Sequence, residues 1–129
     1  MDALSPDDLV TAYLQALSSA DVDAAVRLFA AGGVVHSPLY GMRPAREFYL
    51  ALFADTSRSV LTLRRTLVSA DAASVAFWFD FDWTLADGTP APFTVVDVAE
   101  LDEAGSIRDL HIVYDTHPLR DSWERQDRG

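Results

Sequence analysis

The period of the hydrophobic pattern changes once along this chain, at Asp55. Before that residue, apolar side chains recur at the spacing of an amphipathic helix. After it they alternate, as in strands with one buried face. A chain that reads helices first and strands second folds as α+β, with helices gathered against one face of an antiparallel sheet.

The helical part predicts three helices. Ser5-Pro6-Asp7-Asp8 has the pattern of a helix start: a capping Ser, a Pro in the first turn, and two carboxylates at the positive end of the dipole. Leu9, Val10, Tyr13, Leu14 and Leu17 then share one face. Asp21 caps a second helix whose stripe is Val22, Ala25, Val26 and Phe29, and Gly32-Gly33 ends it. Val34 to Ser37 is a short extended segment stopped by Pro38. A third helix runs from about Pro44 to Phe53, with Phe48, Tyr49, Leu52 and Phe53 facing inward.

Four strands follow at 59–68, 74–85, 92–101 and 106–115, separated by turns at Asp71, Asp87-Gly88 and Gly105. The tail 116–129 is polar and reads as a fraying end with one aromatic, Trp123. The 129 residues make one domain, 1–129, with no linker or repeat. Three N-terminal helices against a strongly curved sheet enclose a cone-shaped pocket, a natural place for a small ligand.

Cysteine and lysine are both absent. Without cysteine there is no disulfide, thiolate nucleophile or cysteine-bound metal. Without lysine, all 10 basic residues being Arg, Schiff-base chemistry is excluded. A net charge of −10 with no basic patch argues against nucleic acid as a partner. The histidines at 36, 111 and 117 form no close ligand pair, and Ala31-Gly32-Gly33 is no phosphate loop, so neither metal nor cofactor is expected. The acidic start MDALSPDD has no signal-peptide pattern, and no apolar run approaches the roughly 18 residues of a membrane span. The expectation is a cytoplasmic protein without membrane contact.

Asp97 is the sharpest anomaly. Segment 92–101 presents Phe93, Val95, Asp97, Ala99 and Leu101 on one face. A carboxylate there must be paired or must take up a proton, because desolvation disfavours charge. A protonated carboxyl in an apolar cavity is a hydrogen-bond donor. Tyr13, in the stripe of the first helix, would be a second donor if its phenol faces the same cavity, and two donors aimed at one point stabilise an oxyanion.

Segment 74–85 has two possible facings. With a two-residue turn at Asp87-Gly88, Trp78 lies opposite Asp97, and Trp78, Asp80 and Asp82 face the pocket. With a three-residue turn the parity flips, and Phe77, Phe79, Phe81 and Trp83 face it. Large apolar side chains on both faces suggest that a second copy of the chain covers the outer one. In segment 106–115, Leu110, Ile112 and Tyr114 suit a pocket wall, whereas Asp109, His111 and Asp115 suit the outside. His36 and Ser37 end the short strand before Pro38, and imidazole is a natural acid or base near neutral pH.

The segments YLQALSSADVDAAVRLFAAGGVVHSPLYG, REFYLALF and DWTLADGTPAPFTVVDVAELDEAGSIRDLHIVYDTHPLR resemble the nuclear transport factor 2-like superfamily over nearly the whole chain. Within it the chain is similar to the branch of ketosteroid isomerases and SnoaL-like polyketide cyclases. The resemblance implies a bent sheet, three helices, a conical cavity and often a homodimer. It implies that Tyr13 is the oxyanion-hole tyrosine, that Asp97 in VVDV is the carboxyl held protonated, and that Tyr49 supports Tyr13. Phe29 replaces another tyrosine of that network, and Ser37 stands where the isomerases keep the proton-shuttling Asp. Ile112 stands where related epoxide hydrolases carry an acid.

The expected function is cofactor-free acid/base chemistry, of isomerase or cyclase type, on a small apolar carbonyl compound. Tyr13 and Asp97 would donate, His36, Asp80 or Asp82 would move the proton, and Phe29, Ser37, Tyr49, Trp78, Leu110, Ile112 and Tyr114 would line the site. The alternatives are a binding module for an apolar ligand and a protein–protein adaptor.

Overall fold

A computed structural model describes residues 4–128; Met1 to Ala3 of the acidic start and Gly129 of the tail lie outside the described residues. The order is α1 (Pro6–Ser19), α2 (Val22–Val26), β1 (Phe29–Ser37), β2 (Gly41–Pro44), α3 (Ala45–Ala54), β3 (Thr56–Val68), β4 (Ser74–Leu85), β5 (Phe93–Leu101), β6 (Ile107–Val113) and α4 (His117–Arg128). The six strands form one unclosed sheet in the order β2-β1-β6-β5-β4-β3, antiparallel except where β1 runs parallel to β6.

Local chemistry accounts for the helix starts. Ser5 Oγ accepts from the Asp8 amide at 3.1 Å, and Asp21 Oδ1 accepts from the Ala24 amide at 3.0 Å. The inner face of α1 buries Leu9, Val10, Tyr13, Ala16 and Leu17, and α3 buries Phe48, Tyr49 and Leu52. Opposite them, β4 buries Val75, Phe77, Phe79, Phe81, Trp83 and Leu85. Each large side chain removed from water contributes about 1.5–3 kcal/mol before entropy is counted, so this aromatic strand dominates the core.

Two expectations about the elements are corrected. Phe29 begins β1 instead of continuing a helical stripe, because the second helix is one short turn and Phe29 pairs with Ile107. Gly32-Gly33 is therefore a bulge within a strand: a Cβ on Gly33 would meet the Ile107 carbonyl oxygen at 2.8 Å. The tail is also more than a fraying end. It forms α4, with Leu119 only 1% exposed and Trp123 packed against the core.

The turn between β4 and β5 settles the parity. The Leu85 amide donates to the Thr89 carbonyl at 2.9 Å, leaving Ala86, Asp87 and Gly88 as a three-residue loop with Gly88 at φ 88°. Glycine adopts that conformation without the Cβ penalty. Phe77 thus pairs with Asp97, and Trp78 pairs with Val96.

Candidate functional site

Strand alternation places Asp97 on the inner face of β5 between Val95 and Ala99, with Phe77 beside it on β4 and Ile112 on β6. Asp97 is 2% exposed. Its Oδ1 is the one buried side-chain nitrogen or oxygen without a hydrogen-bond partner among the described residues. Burial pushes its pKa well above the ordinary carboxylate range, and hydrogen bonding by Tyr13 opposes the shift only in part. Burial therefore favours the neutral carboxyl, and its Oδ1 stays without a protein partner.

Tyr13 reaches Asp97 from α1. Its hydroxyl accepts from the Tyr49 hydroxyl of α3 at 2.9 Å, so α3 positions α1's donor. Burial raises the pKa of both phenols, and neither ionises near neutral pH. Tyr13 packs edge-on against Phe77 at 5.3 Å, which fixes the ring from the sheet side.

These groups border a cavity walled by Phe48, Phe79, Phe81, Trp83, Phe93, Ile112 and Tyr114, with Ser37, Leu39 and Tyr40 toward the loop after β1. The centre of a water-sized sphere can occupy about 30 Å³ of it, where one water needs roughly 10–15 Å³. No basic side chain is among the lining residues, and Asp97 is the one carboxyl. No group of three or more His, Asp or Glu able to hold a metal occurs among the described residues.

At the loop end, the Tyr40 hydroxyl donates to Asp55 Oδ2 at 2.6 Å, and burial together with this bond raises its pKa. Trp123 of α4 meets the Tyr40 ring edge-on at 6.0 Å, and Trp123 also hydrogen-bonds the phenol. Tyr114, at the end of β6, is pushed up by burial as well.

Tyr13, Asp97, Ser37, Ile112 and Tyr114 meet at the cavity as expected. The three candidate proton carriers do not. Asp80 lies on the outer face, held by Arg64 through contacts of 3.0 and 2.6 Å and by Thr94 at 3.0 Å. Its pKa is lowered, first by the hydrogen bonds from Arg64. Asp82 is exposed on the same face, and Trp78 stands there 38% exposed under Arg64. The three-residue loop is the reason for all three. His36 also faces outward, because β1 alternates after its bulge and turns Val35 and Ser37 inward. Its ring stacks on His111 at 4.4 Å, and its Nε2 lies 2.9 Å from Asp109 Oδ1.

Ser37 lines the cavity, but its Oγ accepts from the amides of Leu39 and Tyr40, both at 3.2 Å, and so shapes the loop. Phe29, Tyr49 and Leu110 are core residues behind the wall instead of lining it. Sequence reasoning missed Tyr40 and Trp123 as neighbours of the cavity. Tyr40 sits in a loop and Trp123 in a polar tail, where periodicity carries no signal.

A family model described as a SnoaL-like domain matches residues 10–110. No curated protein matches the chain. Among solved structures, it is similar to the epoxide hydrolase/cyclase-like enzyme SalBIII of salinomycin pyran-ring formation: 20% identity, 85% of this chain and 90% of that one covered, TM-score 0.74. It is similar to a protein of ketosteroid isomerase-like fold from Catenulispora acidiphila in complex with trimethylamine: 16% identity, 89% and 91% covered, TM-score 0.76. It is also similar to TerC co-crystallised with polyporic acid: 16% identity, 93% and 99% covered, TM-score 0.77. At these identities the likeness shows the fold. No helix among the described residues is long and apolar enough to cross a membrane.

Proposed function

The chain belongs to the SnoaL-like domain family, and from that premise we propose that its cavity binds a small, largely apolar carbonyl compound and acts on it without a cofactor. Asp97, neutral and buried, donates from its free oxygen to the ligand's carbonyl or developing enolate oxygen, and Tyr13 turns its single hydroxyl proton from Asp97 to that oxygen when the ligand enters. The observation that carries this reading is the unpartnered Oδ1 of a carboxyl in an aromatic cavity. Leaving such a group unsatisfied costs about 1–3 kcal/mol, which a ligand oxygen repays. The chemistry is isomerase- or cyclase-like: donors stabilise charge as it develops on oxygen. With His36, Asp80 and Asp82 outside the cavity, the proton leaves to solvent or to the substrate's own basic group.

Titration with phenol and substituted phenols across pH tests this. The reading expects binding that weakens on Asp97→Asn and Tyr13→Phe, with the bound phenol shifted toward ionisation. Binding indifferent to both substitutions contradicts it.

A second reading is a non-catalytic binding module. It is favoured by a lining that holds one carboxyl, many aromatic rings and no second acid or base. Such a lining also suits a small ammonium ion, held over ring faces, the class of ligand named for the Catenulispora neighbour. Turnover of an enolisable ketone that Asp97→Asn abolishes would decide for the enzyme.

We also propose that the outer face, with Trp78 at 38% and Val113 at 57% exposure, pairs with a second copy of the chain. Sedimentation equilibrium should give twice the 14.2 kDa chain mass; a monomer at micromolar concentration contradicts it.

A further inference from the structure

A cavity of about 30 Å³ is small beside ligand pockets of roughly 300–1,000 Å³, so any ligand larger than a few atoms needs the wall to move. The candidate for that movement is the C-terminal helix. Helix α4 follows β6 through the irregular residues 114–116 and is polar over most of its length. Its two described apolar contacts stand one turn apart. Leu119 is 1% exposed in the core, and Trp123 lies edge-on against Tyr40 at 6.0 Å. Tyr40 is itself a cavity wall residue, tied to Asp55 at 2.6 Å. A helix of 12 residues is marginal on its own and depends on such anchors.

We propose that α4 is a lid over the cavity and that Trp123, closing on Tyr40, sets the size of ligand the site accepts. This rests on the reading that the cavity binds a small molecule. Opening pivots at 114–116 and takes Trp123 off the Tyr40 ring, which then tilts from the wall about its bond to Asp55, while α1, α3 and the β4–β5 ladder keep Tyr13 and Asp97 in place. The Thr116 carbonyl accepts from the amides of Leu119 and Arg120 at 3.0 and 3.1 Å, so α4 can keep its first turn while it moves.

The test uses the full chain, with Trp123→Ala and, as the milder variant, Trp123→Phe, which keeps a ring against Tyr40. Native-state amide exchange should show α4 opening as a unit while β4 and β5 stay protected, and Trp123→Ala should speed exchange in α4 about ten-fold. Stopped-flow association of 2-naphthol should rise by a similar factor in Trp123→Ala and by less in Trp123→Phe, with phenol less affected than the larger naphthol. Exchange of α4 only together with β4 and β5, or naphthol association unchanged by Trp123→Ala, overturns the lid. Failure of phenol and naphthol to bind either protein counts against the donor reading, and the exchange pattern still decides whether α4 opens.

Discussion

Phe77 stands directly opposite Asp97 on the β4–β5 ladder. That single register relation puts an aromatic face against the carboxyl and sends Trp78, Asp80 and Asp82 to the other side of the sheet. The candidate site consequently holds one carboxyl in an apolar cavity, without a second carboxylate.

Asp97→Asn should stabilise the protein at neutral pH. The folded-state pKa of Asp97 is raised, so between the unfolded value near 4 and the raised value the folded state holds the extra proton. Wild-type stability then falls as pH rises through that window, by up to about 1.4 kcal/mol per pH unit, and levels off above it. Asparagine has no proton to lose. Chemical unfolding of both proteins should show similar stability near pH 4 and an advantage for the variant at pH 7. An advantage confined to low pH would contradict the sign.

Tyr13→Phe should raise the Asp97 pKa further, because the Tyr13 hydrogen bond favours the charged carboxylate. Tyr49→Phe should cost about 1 kcal/mol through the lost bond to Tyr13. Carboxyl NMR titration of the first and denaturant unfolding of the second check these directions.

Asp80→Asn, Asp82→Asn and His36→Gln should leave phenol affinity within two-fold of the wild type, since all three side chains lie on the outer face. Isothermal titration would show it. A ten-fold loss from any of them would place that group in the cavity's chemistry.

Gly88→Ala should cost about 1–2 kcal/mol, because Gly88 holds φ 88° in the loop that sets the register. No atom stands within 4 Å of the added Cβ, so the cost is backbone strain and not a clash. A thermal midpoint unchanged by the substitution would contradict this.

Much of this is legible in the sequence. Capping residues and alternation place α1, α3 and the four long strands, and Asp97 and Tyr13 stand out as polar groups on apolar faces. The facing of β4 is not legible there, because both of its faces carry large apolar side chains and one residue of loop length decides between them. Gly32-Gly33 reads as a helix stop because local propensity cannot register a neighbouring strand's carbonyl 2.8 Å from a missing Cβ. The α4 lid escapes the pattern because two apolar residues in a polar tail, Leu119 and Trp123, become meaningful only once Tyr40 is beside them.

The central claim is that Asp97 is a neutral hydrogen-bond donor at physiological pH. Site-resolved carbon NMR of the Asp97 side-chain carboxyl, followed from pH 3 to pH 9, tests it most directly. The account predicts a carboxyl resonance that stays in its protonated position through pH 7, and a transition that Tyr13→Phe moves upward. A transition centred near pH 4, as for an exposed aspartate, would mean that Asp97 is a charged group at work and would contradict the donor site.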